Sequence, residues 1–229
     1  MAEYYVDPTA TGDDTGASKT NAWTTMQRCE DGTDGTQPAA GDTVLFRHSG
    51  AVGAADETIG VGGVEIGWTG LSGNTTAGYI RYIGVNSAWE NDGTQYVLDG
   101  DSAQVATGVM IFGTPAYRWF ENFLVTRSAT SGIVSVGVCL YCIFKNVTAS
   151  LNATAGISSG ALQYGLFEDC DLLHNDFVGL GSLLYGRAIR CRAVGNAFYG
   201  IQGGNSCTIK DCLVVANGLY SQRQPYLFR

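Results

Sequence analysis

Basic residues are scarce. The chain of 229 residues holds 13 Lys and Arg against 21 Asp and Glu, a formal charge of −8. Nucleic acid is therefore not an expected partner, because its phosphates require a basic face. Charged residues of both signs reach only 15% while apolar ones reach 45%, which excludes a disordered chain. No apolar run approaches the roughly 18 residues of a membrane span, so no membrane insertion is expected. The opening MAEYYVDP lacks the basic and apolar segments of a signal peptide. Prolines number four against 32 glycines, so turns are closed by Gly and long helices are excluded. There is no G-x-S-x-G nucleophile elbow. The stretch GVGGVEIG lacks the dinucleotide-binding register, and His48 and His174 are the only histidines.

What the chain does have is a repeat. Residues 164–180, YGLFEDCDLLHNDFVGL, and 185–201, YGRAIRCRAVGNAFYGI, share one skeleton at a spacing of 21, and CTIKDCLVVANGLY follows in phase. Cys170, Cys191 and Cys212 form one column and Asn152, Asn175, Asn196 and Asn217 another, which fails at Ser128. Phe120, Phe144, Phe167, Ala188 and Ile209 form a third, three residues before the Cys column, which itself continues upstream as Val147 and Phe123. Repeat lengths are 24, 23, 21 and 21 residues. Such a period, built of short apolar strands without helical phase, predicts an all-β solenoid. Stacked coils put equivalent residues about 4.8 Å apart. A buried Asn column is then satisfied if each amide donates to the Asn oxygen of the next coil.

Cysteines number seven, and those of the column, Cys170, Cys191 and Cys212, are read as reduced thiols behaving as small core hydrophobes. Cys139-Leu-Tyr-Cys142 has CxxC spacing without a second pair, and strand residues three apart face opposite ways, so no zinc site is expected.

The units F-x-x-C-x-h-x-x-N-x-x-x-G-[IL], with h apolar, resemble the right-handed parallel β-helix of the pectate-lyase-like superfamily, firmly over 116–220. The opening order YYVDP, GDDTG, AWTTMQRC, AGDTVLFRHSG is similar to that of bacterial and phage β-helix proteins, in which a strand and a short capping helix precede the first coil. The resemblance implies a single-stranded right-handed parallel β-helix with a short N-terminal capping helix. Residues 1–41 form the strand and cap, 42–220 the helix and 221–229 a tail or truncated continuation, all one structural domain. Thr20 or Asn21 is expected to cap that helix, with Trp23 and Met26 on one face. Residues 51–78 read as irregular coils, and the end after Tyr220 as an open β edge. Either the polypeptide continues beyond that edge or another subunit covers it; the resemblance further implies a cell-surface or virion location and, for the second case, a homotrimer.

Function must lie on outward columns. Glu121, Lys145, Glu168, Ile189 and Lys210 form one, and Asn122, Asn146, Asp169, Arg190 and Asp211 the next. Their alternating signs predict cross-strand ion pairs. A lyase of this fold would need carboxylates converging on calcium beside a base, and a hydrolase a carboxylate pair. The repeats show neither, so no metal or cofactor is expected unless the protein is a lyase, when calcium enters. Outside them, Glu90, Asp99 and Asp101 are the acid/base candidates. Tyr117, Tyr141, Tyr164 and Tyr185 recur six residues before the Cys column, with Trp119 adjoining. An outward aromatic ladder suits sugar rings, or else stacks on itself. The leading expectation is a glycan-binding or structural module whose partner is a polysaccharide or cell-surface glycan. The alternative is a polysaccharide lyase or glycoside hydrolase acting on an acidic polysaccharide.

Overall fold

The computed structural model describes residues 1–31, 37–50, 54–59, 64–66, 72–101, 108–114, 116–158, 162–218 and 226–228. Three parallel strand stacks wind through it. The first runs through Glu3–Val6, Thr43–Arg47 and Ile80–Val85. It continues in the leading halves of Arg118–Thr126 and Ile143–Ser150, then Leu166–Glu168, Arg187–Ile189 and Thr208–Lys210. The second takes the trailing halves of those two long strands, preceded by Glu57–Thr58 and Tyr96–Asp99 and followed by Asp171–Leu173, Arg192–Val194 and Cys212–Val215. The third comprises Val64–Ile66, Gly108–Phe112, Ser131–Ser135, Ala155–Ser158, Val178–Leu183 and Tyr199–Gly203.

Register follows the sequence columns. Phe144 pairs with Phe120 on one side and Phe167 on the other, and Phe167 with Ala188. The rings stack: Tyr82 on Phe120 at 4.9 Å, Phe120 on Phe144 at 5.5 Å, Phe144 on Phe167 at 5.1 Å. Each coil alone would expose its apolar side, and stacking buries it as one continuous core. Cys170, Cys191 and Cys212 sit on successive rungs, each thiol donating to the carbonyl of Phe144, Phe167 or Ala188 in the preceding coil, at 3.4, 3.4 and 3.5 Å. The neighbouring thiol, hydrogen-bonded in the stack, pushes Cys191 and Cys212 above the ordinary thiol range.

Corners are turned by single residues in left-handed conformation. One column holds Tyr117, Tyr141, Tyr164, Tyr185 and Ser206, a second Asn122, Asn146, Asp169, Arg190 and Asp211, and a third Arg127, Leu151, His174, Gly195 and Ala216, all with φ between 49° and 69°. Next to the third lies the buried Asn ladder. Asn152, Asn175 and Asn196 each donate Nδ2 to the Oδ1 of the following Asn at 2.9, 2.8 and 2.8 Å. Where the column ends, the Ser128 backbone N–H donates to Asn152 Oδ1 at 3.1 Å.

The N-terminal cap is a helix, Met26–Asp31, with Met26, Cys29 and Glu30 buried. It starts later than Thr20 or Asn21 allows. Thr25 is the cap instead, its Oγ1 accepting the Arg28 N–H at 3.2 Å. From this helix Glu30 meets Arg118, fully buried, at 3.0 Å, and Tyr82 donates its hydroxyl to Glu30.

Three expectations are corrected. Cys139 and Cys142 form a disulfide, leaving five free cysteines among the described residues. The argument from alternation fails because Tyr141, at φ 56°, breaks the strand between them and lets both sulfurs face inward. Within 51–78, Glu57–Thr58 and Val64–Ile66 are rungs of the second and third stacks. The last coil is covered in part: Tyr226–Phe228 pairs antiparallel with Cys212–Val215, while among the described residues Thr208–Lys210 and Tyr199–Gly203 pair on one side only. The rest of the 221–229 tail and part of 51–78 lie outside the described residues.

Candidate functional site

The tyrosine corner is where side chains face solvent along the stack. Tyr141, Tyr164 and Tyr185 are 38%, 46% and 45% exposed, whereas Tyr117 is half-buried. Tyr117–Tyr141, Tyr141–Tyr164 and Tyr164–Tyr185 stack at 5.0, 5.1 and 5.4 Å with interplanar angles of 18°, 18° and 21°. Rings stacked along the axis turn their faces to one another. The groove beside them is therefore walled by ring edges and hydroxyls, not by the flat platform that an aromatic ladder suggests. Tyr185 is the exception. It stacks on Tyr164 alone, because the next corner is Ser206.

A groove of about 350 Å³ runs beside this wall. Ile143, Leu166 and Arg187, register partners on adjoining rungs, form its far side, and Gly165 and Gly186 its floor. A Cβ on Gly186 would point inward and meet the Gly165 carbonyl oxygen at 2.6 Å and buried Leu183 at 2.7 Å, so glycine is required there. Trp119 lies beyond the groove end. Arg81 covers its ring at 5.0 Å, and its indole N–H donates to Glu121 at 3.2 Å.

The charged columns neutralise themselves. Lys145 pairs with Glu121 at 3.1 Å, Arg190 with Glu168 and Asp169 at 2.7 Å each, and Arg192 with Asp171 at 2.8 Å. Hydrogen bonding to Arg190 holds Asp169 below the ordinary carboxylate range. Every other described arginine has a carboxylate within 4.0 Å; Arg187, exposed on the groove wall, has none.

No protein-family model and no curated protein matches the chain. Two solved structures do. The crystal structure of pectate lyase Pel9A superposes with a TM-score of 0.69 at 19% identity, covering 100% of this chain and 57% of that one. A rhamnogalacturonan lyase superposes with a TM-score of 0.63 at 14% identity, covering 100% of this chain and 60% of that one. The fold is a pectate-lyase-like β-helix. The chain spans less than two thirds of either lyase.

Within this β-helix, among the described residues, no hydrogen bond joins the carboxylates of the acid/base candidates to one another; Asp99 and Asp101 meet only through the Asp101 backbone N–H, and Glu90 stands apart. Asp99, 4% exposed, accepts Arg127 Nε at 2.9 Å, pairs with its Nη2 and accepts the Asp101 backbone N–H. Asp101 itself turns the chain at φ 48°. Glu90 lies exposed in the 86–95 loop, its backbone N–H donating to Asn86 Oδ1 at 3.0 Å. Calcium binding requires several carboxylate oxygens to converge. Among the described residues no group of three or more His, Cys, Asp or Glu does so, and the paired carboxylates above do not fit that ion.

Two features were missed in the sequence. The Arg187 vacancy could have been found by asking which column charge has no opposite neighbour, since Leu166 and Thr208 flank it. His48 Nδ1 lies 2.7 Å from buried Asp56, whose oxygens also accept the Ser49 and Val97 backbone N–H groups. Nothing in the local sequence marks that pair.

Among the described residues no helix is long and apolar enough to cross a membrane.

Proposed function

We propose that this chain is a carbohydrate-binding β-helix module in which a glycan lies along the tyrosine groove, parallel to the solenoid axis. The observation that carries this reading is the end of the groove. There Tyr185 stacks on a single ring, and Arg187 has no carboxylate partner among the described residues. A free aromatic face suits the apolar C–H face of a pyranose. A free guanidinium offers a planar fork to a sugar carboxylate. The tyrosine hydroxyls upstream recur once per coil and supply hydrogen bonds along a repeating chain. The ligand is thus an acidic polysaccharide or cell-surface glycan, in keeping with a protein displayed outside the cell or on a virion appendage, there as a homotrimer.

A second reading, polysaccharide lyase or glycoside hydrolase, is favoured by the names of the two structural neighbours. It would place chemistry near residues 86–101, with Glu90, Asp99 or Asp101 acting. The ion pairing of Asp99 with Arg127 stands against it.

A glycan array separates the two. Binding that disappears in the Tyr141→Ala/Tyr164→Ala double variant supports the module. Release of unsaturated oligosaccharides, seen by the ultraviolet absorbance of the new double bond, would replace it with a lyase. New reducing ends without that absorbance would indicate a hydrolase.

A further inference from the structure

The coil that carries Tyr141 differs from its neighbours at two inward positions. Cys139 pairs in register with Leu162, and the next coil places Leu183 there, since Gln163 bridges to Leu184. Cys142 precedes Ile143, which pairs with Leu166, so its equivalents are Gly165 and Gly186. In those coils a large residue accompanies a bare one, and at Gly186 the bareness is required: Leu183 Cδ1 lies 2.7 Å from where its Cβ would be, whereas a Gly165 Cβ would meet Phe167 at 3.3 Å. The Cys139–Cys142 disulfide replaces the Leu–Gly pair. It fills the same space with two medium side chains, and it joins them covalently across Tyr141. Both cysteines are buried, at 0% and 1% exposure, while Tyr141 between them points into solvent.

We infer that this disulfide is a redox-sensitive latch on the tyrosine corner. The segment is joined to both neighbouring coils by backbone hydrogen bonds at its edges, beside the short ladder of Cys139–Leu140 with Leu162–Gln163. Tyr117 N–H donates to Leu140 O, Tyr141 N–H to Gln163 O and Leu166 N–H to Cys142 O, all at 3.0 Å. The S–S bond spans Tyr141 and adds a covalent tie to a left-handed corner that backbone hydrogen bonds alone hold at Tyr164 and Tyr185. Reduction by a dithiol breaks the S–S bond and delivers two electrons. Each sulfur takes a proton, and the dithiol closes to its own disulfide. Two thiols then fill a space with no covalent tie, and Tyr141, one of the two inner rings of the ladder, is free to leave its stack. That this alters ligand binding rests on the glycan reading above; that it loosens the corner does not.

The test compares oxidised and dithiol-reduced protein, with the bond state read by alkylation and mass. The comparison protein is the Cys139→Leu/Cys142→Gly variant, which has the pair used by the next two coils. The readouts are amide hydrogen exchange at Tyr117, Tyr141 and Leu166, and affinity for an oligouronate. Reduction is expected to speed exchange at these amides about tenfold and to weaken oligouronate binding about fivefold, through a smaller competent population. Reoxidation restores both, and the Leu/Gly variant is indifferent to dithiol. A bond that resists dithiol in the native protein overturns the latch, as does unchanged exchange once both thiols are alkylated. Quickened exchange in a protein that binds no oligouronate in either state overturns the glycan reading and leaves the latch standing.

Discussion

Tyr164 and Tyr185 stack at 5.4 Å with 21° between their planes, and beyond Tyr185 the ladder stops at Ser206. The stop matters more than the stack. A ring inside the ladder has both faces occupied by its neighbours, whereas Tyr185 has one occupied and one open, beside an unpaired guanidinium. The groove therefore has polarity along the solenoid axis.

That polarity makes Arg187→Ala a specificity variant. Preference for acidic over neutral oligosaccharides should fall about tenfold or more, the effect of losing a charge-assisted hydrogen bond. Stability should change by less than about 0.5 kcal/mol, as for an exposed residue without partners. Titration calorimetry with matched uronate and neutral oligomers reads the first, and thermal melting the second.

The Asn ladder should behave as one unit. Asn175 Oδ1 accepts from Asn152 Nδ2 and backbone N–H, at 2.9 and 3.2 Å, while its Nδ2 donates to Asn196 at 2.8 Å and to the Ala149 carbonyl at 3.1 Å. Asn175→Ala orphans groups on both neighbouring coils, at about 3 kcal/mol. Differential scanning calorimetry should show Tm lowered by about 6–12 °C.

A third test uses pH. Burial pushes the Glu57 carboxyl up from an ordinary 4.5 to about 7, against the opposing hydrogen bonds from the Met26 N–H and the Tyr96 hydroxyl. A raised acid binds its proton more tightly folded than unfolded. Its contribution to stability is therefore present below about pH 4.5 and is lost as pH rises through about 7. Denaturant titrations should show wild type losing on the order of 3 kcal/mol across that window relative to Glu57→Gln. Equal slopes for the two proteins would mean that Glu57 ionises normally.

Leu151 gives a fourth. It turns a corner at φ 56° and is 57% exposed, and Gly195 occupies the same column two coils on. Leu151→Gly relieves the left-handed penalty, about 1–2 kcal/mol, against Gly's larger loss of chain entropy. Urea unfolding should show a net gain of about 0.5 kcal/mol.

The stacking columns were legible because the fold places like residues on like. Phe120, Phe144 and Phe167 read as one column in the sequence and are one column in space. The corners were not legible. Tyr, Arg, His and Leu have no local preference for the left-handed region, and only the hydrogen bonds between coils hold them in it. That is why a rule of strand alternation put Cys139 and Cys142 on opposite faces, when Tyr141 lets both face inward. The volume swap against Leu162 and Gly165 was visible in the repeat, had the coils been compared position by position. Glu30 and Arg118 stand far apart in sequence and lie in different elements, so no spacing joins them. The groove's tyrosines were found from recurrence, and Arg187 was overlooked because an unpaired charge shows only once its neighbours' partners are known.

The most direct test of the account is a crystal structure grown with an oligouronate. The account predicts sugar density along Tyr141 and Tyr164, one ring against the open face of Tyr185 and a carboxylate on the Arg187 guanidinium. Density confined to the 86–101 loop, or an empty tyrosine groove at saturating ligand, would contradict it.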